Sequence, residues 1–188
     1  MRRPASPVVD SHQIDRRQFL RRVAAATLTM APIGAALAGA AEQRSVSFVH
    51  THTGEELTAV YFQDGRYQPG VLHSVNHLLR DFRTGDVHPI DPAVLDILFD
   101  LQLHTQQDRP FEVISGYRSP RTNAALRQHS SGVAEHSLHI QGRAIDVRVS
   151  GVPTRTLRDA ALFLQRGGVG FYPGSDFVHL DNGRIRYW

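Results

Sequence analysis

The stretch from His136 to Asp146, His-Ser-Leu-His-Ile-Gln-Gly-Arg-Ala-Ile-Asp, carries the clearest chemistry in the chain. His139 offers an imidazole nitrogen and Asp146 a carboxylate oxygen, both good ligands for a divalent metal. His179, within Phe177-Val178-His179-Leu180-Asp181, is the best-placed third ligand. Three protein ligands leave a fourth position for water, the open arrangement that hydrolytic zinc needs. Bound zinc lowers the pKa of that water, polarises a carbonyl and stabilises the oxyanion. A carboxylate must still take the water's proton, and Asp176, three residues before His179, is one choice. Asp181 is the other, with the alternative role of orienting an imidazole from outside the ligand set. Arg118 suits stabilising the developing negative charge or holding a substrate carboxylate. His136 suits donating a hydrogen bond to the tetrahedral intermediate.

These side chains need elements to hold them. Gly142 reads as a turn, and from Arg143 the pattern becomes a strand, with Ala144, Asp146 and Arg148 on one face. In the segment around His179, period two puts Phe177, His179 and Asp181 on one face. Phe111 to Ser115 reads as a buried strand, Gly116-Tyr117-Arg118 as a turn, and Ser119-Pro120 as the start of a helix. Arg118 therefore sits where a strand gives way to a helix, a common place for a functional side chain.

Upstream, Arg44 to Thr51 and Leu57 to Phe62 read as a hairpin turning at Thr53-Gly54-Glu55. Helices are expected over Val71 to Phe82, with Phe82 inward, and from Asp91-Pro92 to about His104, with Leu103 among the core residues. Arg127 to Gly132 reads as an exposed loop. A further helix spans Thr154 to Gln165 and ends at Gly167-Gly168. Short strands follow at Val169 to Phe171, Phe177 to Leu180 and Arg184 to Tyr187. Two other histidine pairs, His50 with His52 and His73 with His77, have ligand-like spacing. The first is expected to be solvated. The second lacks the glutamate of a His-Glu-x-x-His zinc helix, so both are expected to be non-ligands.

The 188 residues contain no cysteine, so any metal must be held by histidine and carboxylate. The net charge of +3 is unevenly distributed. Residues 1–41 hold six arginines and two acids, which leaves residues 42–188 close to neutral at −1. A near-neutral body argues against nucleic acid as a partner. Asp15 to Arg21 resembles the twin-arginine export motif, with Arg16-Arg17 followed by Phe19-Leu20. The apolar, Ala-rich run after it ends in small residues that suit cleavage. The expectation is a signal peptide over 1–41, a mature monomer over 42–188 in the periplasm, and no stable membrane span after cleavage.

Ser137-x-His139-x-x-Gly142-x-Ala144-x-Asp146, with His179 in a later strand, is similar to the signature of the D-Ala-D-Ala metallopeptidases. Their wider group includes lysostaphin-type enzymes and the hedgehog signalling domain. Ser115-Gly116-Tyr117-Arg118-Ser119 matches the arginine-bearing segment of those peptidases, and residues 44–188 look like the branch of murein endopeptidase K. The resemblance implies a small single α+β domain with a central antiparallel sheet flanked by helices. It also implies one zinc ion on His139, Asp146 and His179, with Arg118 as the substrate or oxyanion residue, and peptidoglycan stem peptides as substrate. Many relatives carry Glu where this chain has Asp176. Hydrolysis of crosslinks is the expected reaction. Removal of a terminal D-alanine and metal-dependent wall binding without turnover are the competing expectations.

Overall fold

A computed structural model describes residues 43–129 and 132–188. The leader expected over 1–41 lies outside the described residues, as do Ser130 and Ser131 of the expected loop. Among the described residues, no helix is long and apolar enough to cross a membrane.

The hairpin forms as β1 (Arg44–His50) and β2 (Glu56–Gln63), because alternating residues bury one face. Val46, Phe48 and His50 point inward from β1, and Ala59 and Tyr61 from β2. A two-residue β3 (Arg66–Tyr67) extends this edge. Helix α1 (Pro69–Leu78) then stops one turn short of the expected Phe82. Arg80 to Gly85 instead turn around Asp81, whose carbonyl accepts from the backbone N–H groups of Thr84 and Gly85. Helix α2 (Pro92–Thr105) is capped by Asp91, which accepts from Ala93 N at 3.0 Å. It buries Val94, Leu95, Leu98 and Leu101, but Leu103 is 59% exposed and is not part of the core.

Next come β4 (Phe111–Ser115), α3 (Pro120–His129), a 3-10 turn (Leu138–Gln141) and β5 (Ala144–Val149). Helix α3 thus continues into the stretch read as loop. Helix α4 (Thr154–Leu164) ends at Gln165 in the left-handed conformation, ahead of the expected Gly167-Gly168 stop. Three short strands complete the chain: β6 (Gly168–Tyr172), β7 (Phe177–Asp181) and β8 (Arg186–Tyr187).

The strands form one sheet in the order β3-β2-β1-β4-β5-β7-β6-β8. The domain is α+β, as expected. The sheet is mainly antiparallel, but β1 pairs with β4, and β6 with β8, in parallel. These two pairings arise where a connection brings the chain back in the same direction, and local periodicity carries no sign of that. Helices α2 and α4 pack against each other and against the strands, so the core holds Leu95, Leu98, Phe111, Ile145, Val147, Leu157 and Val178. Each such large side chain contributes roughly 1.5–3 kcal/mol by burial. The opposite face of the sheet carries Glu112, Asp146, Arg148, Phe177 and His179.

Candidate metal centre

His139, Asp146 and His179 arrive from three separate elements. Strands β5 and β7 pair with Asp146 opposite His179, so period two puts both side chains on the same face of the sheet. His139 comes from the 3-10 turn, which closes against the sheet because Gly142 adopts φ +66°. A Cβ at Gly142 would run into the Pro89 carbonyl, so only glycine fits here. The turn clasps the β4–α3 junction: His139 Nδ1 donates to Gly116 O at 2.7 Å, and Arg118 N donates to His139 O at 3.2 Å.

The three side chains are buried and converge on one point. His139 Nε2 lies 3.2 Å from Asp146 Oδ1 and 3.1 Å from His179 Nδ1, and His179 Nδ1 lies 2.8 Å from Asp146 Oδ1. Tetrahedral ligands at zinc distances stand about 3.3 Å apart, so this donor set fits a small divalent ion with slight expansion. Each ligand also has an outer partner of the kind that fixes metal-bound groups. Gly116 O takes the far nitrogen of His139, and Asp181 Oδ2 takes His179 Nε2 at 3.0 Å. Arg118 NH2 stands 3.6 Å from Asp146 Oδ2.

Electrostatics follow from burial and these contacts. Burial disfavours a charged Asp146, but His139 and His179 outweigh it and hold the carboxyl well below its usual range. Burial pushes His139 down. Burial also opposes charge on His179, yet hydrogen bonds with Asp146 and Asp181 prevail and raise it to about 9. In the metal-free protein His179 therefore carries a proton that an incoming metal would have to displace, whereas burial favours a neutral His139. Zinc titrations in buffers of different ionisation heat are expected to show about one proton released per ion near neutral pH, shrinking to none above the raised value. The charged His179 stabilises the chelated protein fully below its unfolded value of roughly 6.5. That stabilisation is lost as pH rises through about 9. The melting temperature of chelated protein should fall across that window.

Of the remaining residues with an expected role, Arg118 and His136 line the cavity over the ligands, whose volume is about 510 Å3. Arg118 NH1 donates to Asn123 Oδ1 at 3.4 Å, and its Nε is buried without a hydrogen-bond partner. Asp181 is buried and saturated. It accepts from His179, from both terminal nitrogens of Arg186, and from the backbone N–H groups of Gly168 and Gly183. That makes it an orienting group with no lone pair directed at the cavity. Asp176 does not join the cluster. It is exposed at φ +52°, accepts from Thr154 Oγ1 at 2.9 Å, and lies outside the residues lining the cavity.

Other histidines stay apart from the site. His50 is buried, not solvated as expected, and packs edge-on against Phe82, while His52 stacks on the same ring at 4.0 Å. His73 and His77 are exposed. Among the described residues, His139, Asp146 and His179 form the only group of three that could hold a metal.

The sequence reading missed one wall of the cavity. Tyr172, Phe177, Arg186 and Trp188 line it opposite Arg118. Trp188 Nε1 donates to Tyr172 Oη at 2.7 Å, Arg186 lies over the Trp188 ring, and that ring lies 5.3 Å from His179. Gly170 leaves the space the Trp188 ring occupies. The available signal was Arg186-x-Trp188 a few residues after the strand that carries His179, though a short aromatic strand more often belongs to a core.

The family model described as peptidoglycan L,D-endopeptidase MepK matches residues 38–188. Peptidoglycan L,D-endopeptidase MepK of Escherichia coli K12 is 41% identical over 145 residues, 77% of this chain and 80% of that protein. The probable peptidoglycan L,D-endopeptidase MepK of Haemophilus influenzae is 39% identical over 154 residues, 81% of this chain and 83% of that protein.

Proposed function

Because this chain belongs to the peptidoglycan L,D-endopeptidase MepK family, we propose that it hydrolyses amide crosslinks between peptidoglycan stem peptides with one zinc ion held by His139, Asp146 and His179. The observation that carries this reading is the buried convergence of those three donors, each with its outer partner, at the floor of an open cavity. When bound, zinc supplies Lewis acidity and an activated water. Arg118, in the cavity wall, brings its positive charge to the carbonyl oxygen or a neighbouring substrate carboxylate. His136, which lines the cavity without joining the ligands, takes the proton from water and returns it to the leaving amine. Asp181 holds His179 in one ring orientation.

Peptidoglycan lies outside the inner membrane, so the activity requires export. Residues 1–41, with Arg16-Arg17, serve as a twin-arginine leader in this proposal, and the mature protein works in the periplasm as a monomer. The test is digestion of crosslinked sacculi by the exported protein, with products identified by mass. Release of monomers from crosslinked dimers, abolished by a chelator and restored by zinc, is the expected outcome. Liberation of free D-alanine alone would assign the protein to carboxypeptidases. Binding to sacculi without any release would make it a wall-binding module.

A further inference from the structure

Asp181 is the outer partner of a metal ligand, yet its own side chain is fully buried, and a buried carboxylate needs a group that holds and neutralises it. Arg186 is that group. Its two terminal nitrogens donate to Asp181 Oδ1 at 2.9 Å and to Oδ2 at 2.7 Å, a two-point grip that fixes the plane of the carboxylate. Oδ2 is also the oxygen that meets His179 Nε2 at 3.0 Å. Two glycines leave room for the pair. A Cβ at Gly168 would collide with Arg186 and with Asp181 Oδ2, and one at Gly183 would crowd Asp181 Oδ1 at 2.9 Å. A chain of contacts therefore runs from Arg186, whose side chain is 30% exposed, through Asp181 to the imidazole of His179.

The same arginine supports a wall of the cavity. Strand β8 is two residues long and pairs in parallel with β6 through Gly168–Arg186 and Val169–Tyr187. Period two turns Arg186 and Trp188 towards the cavity and leaves Tyr187 79% exposed on the other side. The Arg186 guanidinium lies 5.0 Å from the centre of the Trp188 ring, within reach of a cation–π contact. An edge strand this short is weakly held by its ladder alone. The ion pair anchors it to a buried group on β7.

Resting on the metal-centre reading above, we propose that Arg186 is a positioning residue that acts at both ends of this chain of contacts. Inward, its grip on Asp181 holds the His179 ring in the orientation that the metal requires. Outward, its guanidinium face holds Trp188 against the cavity, beside the same imidazole. One ion pair thus sets metal affinity and the shape of the substrate wall together. Charge alone does not suffice for this role. A lysine ammonium would neutralise Asp181, but as a point charge it neither spans both carboxylate oxygens nor lies flat on an indole.

Arg186→Lys in the exported protein tests this, with zinc affinity measured by competition with a chromophoric chelator. The variant is expected to bind zinc roughly 10-fold more weakly, the lower end of what a lost outer partner costs. Emission from Trp188, the single tryptophan of the chain, should shift to the red as the ring moves into solvent. In an Asp181→Asn background, Arg186→Lys should weaken zinc no further, because the arginine acts through that carboxylate. Gly168→Ala is the independent variant. Its methyl group pushes Arg186 and Asp181 apart without removing either charge, and the same two shifts are expected. Zinc affinity equal to wild type in Arg186→Lys overturns the inward role, as does a loss of the same size in both backgrounds. Unchanged Trp188 emission overturns the outward role. A lowered melting temperature with full zinc affinity would reduce the pair to a structural anchor. None of these measurements uses turnover, so failure to cleave sacculi would count against the hydrolase reading alone. Wild type that bound no zinc would overturn the metal centre itself, and the inward role with it.

Discussion

Asp146→Ala is expected to abolish stoichiometric zinc binding and to reduce crosslink hydrolysis by more than the roughly 10–100-fold that loss of an outer metal partner costs. The carboxylate is the hub of the centre. Its Oδ1 lies within 3.2 Å of both imidazoles, and its Oδ2 faces Arg118 at 3.6 Å. Alanine removes one ligand and leaves the Arg118 cation in a buried position without its carboxylate neighbour. The β4–β5–β7 ladder is backbone-bonded around this position, so the sheet should survive. Metal content after gel filtration and product release from sacculi are the two measurements. A variant that kept one tightly bound ion per chain would show that His139 and His179 suffice, and the three-ligand centre would be wrong.

His136→Ala is expected to lower kcat by roughly 10^2–10^4, the usual contribution of a positioned general acid–base, while leaving zinc content intact. The expectation rests on position. Among the cavity-lining residues, Asp146 is the only carboxylate and belongs to the proposed ligand set, and the Tyr172 hydroxyl already accepts from Trp188, which leaves His136 as the imidazole outside that set able to carry a proton between water and leaving amine. Asp176→Asn is the companion experiment, because Asp176 is the acid that the sequence offers for the same proton transfer. Its carboxylate is bonded to Thr154 and turned towards Arg148. If Asp176→Asn lost kcat as severely as His136→Ala on crosslinked sacculi, proton transfer would return to Asp176, and its side chain would have to rotate on substrate binding.

Much of the site was legible because its residues follow local rules. Asp146 and His179 lie in short alternating strands, and the inward face of such a strand is set by period two. Gly142 marks the turn carrying His139, since a positive φ with a carbonyl against it admits only glycine. Ser119-Pro120 marks a helix start, and that alone places Arg118 at the end of a strand. The element types were therefore recoverable, and so was the set of side chains able to reach one ion.

Elsewhere local pattern and packing disagreed. Leu103 reads as core for its apolar side chain, yet it stands two residues after Leu101, about 200° around a helix of 3.6 residues per turn, and so leaves the buried stripe of Val94, Leu95, Leu98 and Leu101. Phe82 fits the helical period of the residues before it. The buried carboxylate of Asp81 instead takes the backbone N–H groups of Arg83 and Ser119, and this ties the loop to the start of α3.

By itself the sequence determined the elements, the donor types and the absence of any thiol ligand, because these depend on residue identity and spacing within about ten positions. Tertiary structure alone decided which acids touch the centre. Asp176 and Asp181 lie three and two residues from His179 in the chain, but at opposite ends of β7 one is bonded to Thr154 and the other to the imidazole. The parallel pairing of β6 with β8 likewise brings Trp188 over Gly170. Those placements depend on which strands become neighbours, a property of the closed sheet that no short stretch of residues contains.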